Sequence, residues 1–123
     1  MNDKLFHAIL QATINTSSLV EAICGKKAMR KIQKRLSVLT EAQIAQVWIV
    51  LHNLINPFNP FWPGLVDMEM MPILLDEAER IHKMILDKNP ADTEALNKKL
   101  NKIIERKMRF AEQVIVTRKT NGN

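Results

Sequence analysis

Apolar residues recur at intervals of three and four along most of the 123-residue chain, the spacing that gathers side chains on one face of an α-helix. Leu5, Ala8, Ile9 and Ala12 share such a face, which predicts a helix over residues 3–13 with Asp3 as its N-cap. Asn15, Thr16, Ser17 and Ser18 follow, and side chains of this kind compete for backbone hydrogen bonds and favour helix ends. The helix is expected to stop there or to restart into Leu19, Val20, Ala22 and Ile23, with Gly25 ending the second piece in a left-handed conformation. Over residues 26–39, Met29, Ile32, Leu36 and Leu39 share an arc with Ala28. Thr40 and Gln43 have the spacing of a capping box, opening a helix to about Ile55 that is apolar nearly all round through Ile44, Val47, Trp48, Ile49, Val50, Leu51, Leu54 and Ile55. That helix is the expected centre of the core, and Pro57 stops it.

Three of the five prolines fall within residues 57–63, so breakers concentrate in one aromatic loop at 56–64, NPFNPFWPG. Pro72 suits the first turn of the next helix, whose inward positions are Leu74, Ala78, Ile81 and Ile85. Asp76, Glu77 and Glu79 near its start and Lys83 and Lys88 near its end match the helix dipole. Glu79 and Lys83 are spaced to pair. Asn89-Pro90 breaks the chain, Asp92 or Thr93 caps a last helix to about Thr117, and Leu96, Leu100, Ile103, Ile104, Ala111, Val114 and Ile115 face inward. Residues 118–123 are expected to fray. With no alternating strand pattern and no tyrosine, the fold class is all-α: one domain over residues 1–117, a bundle of five or six helices. Residues 75–96 (LDEAERIHKMILDKNPADTEAL) resemble the second helix of a tetratricopeptide repeat passing into the next repeat. The preceding segment lacks the glycine and aromatic positions of that repeat, and no second copy follows where about three are needed for a continuous core. An ordinary αα-hairpin is the expectation there.

Hydrophobic residues make up 46% of the chain, enough for a core, and 18 Lys and Arg against 13 Asp and Glu leave a net charge of +5 that favours acidic partners. The single cysteine, Cys24, excludes an internal disulfide and a CxxC motif, which suits a reducing compartment. Residues 1–10 do not read as a signal peptide. The longest apolar run, residues 47–51, falls far short of the roughly 20 residues of a membrane span, so no transmembrane segment and a cytoplasmic location are expected.

Catalytic chemistry finds little support. Three glycines leave no material for a phosphate-cradling loop, and His7, His52 and His82 fall on three different helices without an HExxH pair. Lys26 beside Cys24 would favour a thiolate, but the C-terminal end of a helix opposes it. Asp76, Glu77 and Glu79 spread around their helix instead of converging. No enzyme activity, metal or cofactor is expected.

Two features stand above this background. Lys26, Lys27, Arg30, Lys31, Lys34 and Arg35 lie opposite the apolar arc of their helix with no acidic residue among them, a pattern suited to phosphate contacts. A short helix, a Gly turn and a basic second helix also have the outline of a helix-turn-helix. A second basic cluster, Lys98, Lys99, Lys102, Arg106 and Arg109, lies on the last helix. The other feature is the tandem Asn56-Pro57-Phe58 and Asn59-Pro60-Phe61 followed by Trp62, two tight turns that present aromatic rings. These tripeptides resemble the ligands of EH domains, which implies a protein partner if the rings face outward. A lid over the bundle is the plainer expectation. The reading is therefore a non-catalytic, nucleic-acid-binding regulator; the alternative is a protein-protein adaptor, chaperone or inhibitor acting through Phe58, Phe61 and Trp62.

Overall fold

In a computed structural model the chain is described over residues 3–62, 68–88 and 92–121, with side chains from residue 4 to residue 113. Five helices carry these residues: α1 (Asp3–Cys24), α2 (Lys26–Leu36), α3 (Glu41–Ile55), α4 (Met71–Lys88) and α5 (Thr93–Asn121). No strand occurs among the described residues, and no helix among them is long and apolar enough to cross a membrane. The fold is an all-helical bundle.

α1 is one unbroken helix of 22 residues, where a stop or restart was expected at residues 15–18. Burial is the reason. Thr16, Ser17 and Ser18 are all buried, because α1 packs against each of the other four helices and small side chains let those neighbours approach. Of the three, Ser17 bonds back to its own helix: its hydroxyl donates to the Ile14 carbonyl at 3.3 Å, the back-bonding open to a mid-helix serine. One turn earlier Gln11 Nε2 donates to Asn15 Oδ1 at 2.9 Å.

Gly25 is a one-residue joint. Its N–H donates to the Glu21 carbonyl at 2.9 Å and its own carbonyl accepts from Met29 at 3.1 Å, so α1 ends and α2 begins on the same residue. The expected positive φ is present, at 92°, but ψ is 166° instead of the helical value of a left-handed cap, a region open essentially to glycine. A long α1 joined by a single residue also departs from the helix-turn-helix outline, which needs a turn of three or four residues.

α2 stops at Leu36, short of the expected residue 39, because Ser37 turns back on it: the Ser37 hydroxyl donates to the Lys34 carbonyl at 2.6 Å and its N–H reaches the same oxygen at 3.3 Å. The capping box at Thr40 forms as expected. Gln43 N–H donates to Thr40 Oγ1 at 3.1 Å, and Thr40 N–H donates to Gln43 Oε1 at 2.9 Å. Five consecutive residues of α3, from Val47 to Leu51, are buried, which requires neighbours on every side. They join Val20, Met29, Ile32, Leu36, Leu74, Ala78 and Ile81 around the core.

Asp92 caps α5, its Oδ1 accepting from Ala95 N–H at 3.0 Å, and the helix continues four residues beyond Thr117 to Asn121. α4 and α5 follow one another without packing as a hairpin. The apolar face of α4 is taken by α3, while α5 lies along α1, with Ile14 and Ile103 buried. On α4 the within-helix pairs among the described residues are those of Arg80, 3.2 Å from Asp76 and 4.0 Å from Glu77, in place of the expected Glu79 and Lys83 pair.

Candidate nucleic-acid interface

At 100° per residue, Lys27 and Lys34 stand opposite the buried stripe of Met29, Ile32 and Leu36, whereas Lys26 and Arg35 fall a quarter turn to either side of it. These border positions decide what each cation does. Lys27, Arg30, Lys31 and Lys34 are exposed and form no ion pair among the described residues. Arg35, on the α4 side, leaves this row: its Nε donates to Glu77 Oε2 at 2.5 Å, with the two side chains 36% and 15% exposed. Its Nη2 is buried without a partner among the described residues.

On the other border Lys26 faces α5. Lys26, Lys99, Lys102 and Arg106 surround a cleft of about 310 Å³ together with Glu21 and Ile103. Two basic faces, with Lys26 and Lys99 lying 73 positions apart in sequence, thus meet across the end of α1. Within the second cluster, Lys98 and Arg109 are tied to Glu94 and Glu105 on their own helix, at 3.9 and 3.1 Å. Arg106 reaches Glu21 at 3.1 Å. Lys99 and Lys102 are exposed and unpaired among the described residues. No acidic residue lies on α2, and Gly25 supplies no side-chain cap, so the positive end of the helix dipole adds to Lys26 and Lys27.

Two residues here escaped the sequence reading. Glu21 interrupts the apolar stretch from Leu19 to Ile23, and Lys107 interrupts the helical face that runs from Ile103 to Ala111; those interruptions were the available signal. Lys107 Nζ lies 3.9 Å from Glu21 Oε1. Burial pulls its ammonium below the ordinary lysine range, with Glu21 opposing and Arg106 reinforcing the shift.

The aromatic loop springs from the end of α3. Asn59 N–H donates to the Asn56 carbonyl at 3.2 Å, closing the first tight turn. Asn53 then grips the chain twice: Phe61 N–H donates to Asn53 Oδ1 at 2.7 Å and Asn53 Nδ2 donates to the Phe61 carbonyl at 3.0 Å. Phe58 is 100% and Trp62 52% exposed, while Phe61 is half-buried. Residues 63 and 64 of the loop lie outside the described residues. At Cys24 burial pushes the thiol up, against a smaller opposing effect of Lys88. No three His, Cys, Asp or Glu side chains among the described residues come together as a metal site.

The chain matches no protein-family model, no curated protein and no solved structure. The fold and the cleft define a small helical protein with a groove lined by Lys26, Lys99, Lys102 and Arg106.

Proposed function

We propose that this protein is a non-catalytic regulator that binds nucleic acid through its phosphates, in the reducing setting of the cytoplasm where a lone thiol such as Cys24 stays free. The observation that carries this reading is the meeting of Lys26 with Lys99 and Lys102, which extends the unpaired row Lys27, Arg30, Lys31 and Lys34 into one surface made by two helices. Lys27 and Lys34 stand about 10 Å apart along α2, so the row follows a backbone over several phosphates. No aromatic side chain interleaves it, and stacking on single-stranded bases needs one. A duplex backbone, bound with little sequence preference, is the substrate class. Each phosphate neutralised adds about 0.9 to the log-log salt slope, so five to six contacts give a slope of about −5. Lys27→Glu combined with Lys31→Glu and Lys34→Glu abolishes duplex binding, and Lys99→Glu with Lys102→Glu weakens it far more than Lys98→Glu. Unchanged duplex retention in the α2 triple variant would refute the reading.

A second reading, protein docking through the loop, is favoured by the Asn53 clamp. It holds the loop in one shape with Phe58 outward, and such preorganisation lowers the entropy lost on binding.

A further inference from the structure

Lys107 stands where the pattern of α5 calls for an apolar residue, four positions after Ile103 and four before Ala111. Its side chain is only 25% exposed. Among the described residues its ammonium has poor company: it donates to the Ser17 hydroxyl at 3.4 Å and approaches Glu21 no closer than 3.9 Å, and Glu21 is shared with Arg106. One carboxylate against two cations leaves a positive charge in a place where charge is costly unless it is paired and hydrogen-bonded. The Ser17 hydroxyl hydrogen is already directed at the Ile14 carbonyl, so Ser17 accepts from Lys107 and leaves the ammonium with donors to spare.

Ser17 and Lys107 form one wall of a cleft of about 300 Å³ at the junction of four helices, whose other walls are Met29 and Leu36 of α2 and Ile44 and Trp48 of α3. Gln33 completes the lining with an amide. An apolar concavity with a few convergent polar groups is the usual form of a small-molecule site. At the share of about 30 Å³ that one water takes, the space suits a ligand of about ten non-hydrogen atoms. We infer that this cleft binds a small apolar carboxylate, its anionic group on Lys107 and its aromatic or aliphatic body against Trp48, Met29 and Leu36. An amine is repelled by Lys107. A neutral hydrocarbon leaves the ammonium uncompensated, and a phosphate brings a second negative charge into an apolar cleft that offers one spare cation. The cleft uses the inner face of α2, so this site is independent of the nucleic-acid reading.

Trp48 and Trp62 are the two tryptophans of the chain, so Trp62→Phe isolates the fluorescence of Trp48. In that background, benzoate and octanoate are titrated beside benzamide and octylamine, with emission and melting temperature both followed. The expected result is a saturable change in Trp48 emission with a raised melting temperature for the two carboxylates. Benzamide binds ten- to a hundredfold more weakly, the value of a charge-assisted hydrogen bond, and octylamine gives no response. Lys107→Met loses the carboxylate preference while remaining folded by circular dichroism, and Lys107→Arg retains it. Absence of both signals with benzoate and octanoate overturns the inference, as does equal binding of benzamide. The comparison of benzoate with benzamide needs no Lys107 variant, so a misfolded substitution leaves the test intact.

Discussion

Arg35 on α2 and Glu77 on α4 are joined by a 2.5 Å hydrogen bond between Nε and Oε2, across 42 positions of sequence. The carboxylate is well covered, at 15% exposure, and the guanidinium is less so at 36%. Solvent screening discounts the pair below a fully buried one. Glu77→Ala leaves Arg35 half-buried and unpaired, and is expected to cost about 1–2 kcal/mol in urea unfolding. Arg35→Met removes the charge with its need for a partner, and is expected to cost less than about 1 kcal/mol. Duplex binding by Arg35→Met stays at the parent level, in contrast to Lys31→Glu. A large loss of binding in Arg35→Met would return this residue to the basic row.

Ser18 is completely buried and its hydroxyl has no partner among the described residues. A buried polar group left unsatisfied costs about 1–3 kcal/mol, and serine is also a weaker helix former than alanine. Ser18→Ala is therefore expected to stabilise the protein by about 1 kcal/mol, read as a higher urea midpoint at constant slope. A lower midpoint would show that the hydroxyl is bonded after all.

The loop separates stability from exposure. Asn53→Ala deletes both bonds to the Phe61 backbone and is expected to cost about 1–2 kcal/mol. Phe58→Ala, at a ring wholly in water, leaves the melting temperature within about a degree of the parent. Trp62→Ala costs far less than the roughly 3–5 kcal/mol of a buried aromatic. Thermal melts by circular dichroism check all three, and a large drop for Phe58→Ala would mean that its ring covers the core.

Lys107 sets a pH dependence. Its ammonium is disfavoured in the fold chiefly by burial, with Glu21 countering and Arg106 adding to that effect, so the folded protein releases this proton at lower pH than the unfolded chain. Between the lowered folded value and the ordinary lysine value of about 10.4, the unfolded state binds more protons and stability rises with pH. Over that alkaline window the parent gains stability relative to Lys107→Met. Parallel urea-midpoint curves for the two proteins would contradict it.

Where local chemistry decides, the sequence was a sufficient guide. Thr40 and Gln43 form a capping box from side chains three residues apart, Pro72 and Asp92 open their helices, and the apolar run at Val47 becomes the core. Where tertiary burial decides, it was not. Ser17 and Ser18 look like helix-end residues until four helices close over them. Lys26 and Arg35 are indistinguishable on a helical wheel, and they part only because α5 lies on one side of α2 and α4 on the other. The cleft joining Lys26 to Lys99 and Lys102 depends on α5 choosing α1 over α4, a contact between distant segments that no local pattern encodes.

The joint at Gly25 has a stereochemical consequence. Nothing lies within 4 Å of where a Cβ would stand, so space is available and only handedness is restricted. At φ 92° and ψ 166° the backbone is the mirror image of an ordinary extended L-residue. A D-alanine introduced by chemical ligation suits it, and by narrowing the unfolded ensemble stabilises the native joint. L-alanine forces the torsion toward negative values and swings α2 about the end of α1, carrying Lys26 away from Lys99 and Lys102. The direction in which α2 leaves α1, and with it the place of Lys26 beside α5, thus depends on one residue that has no handedness of its own.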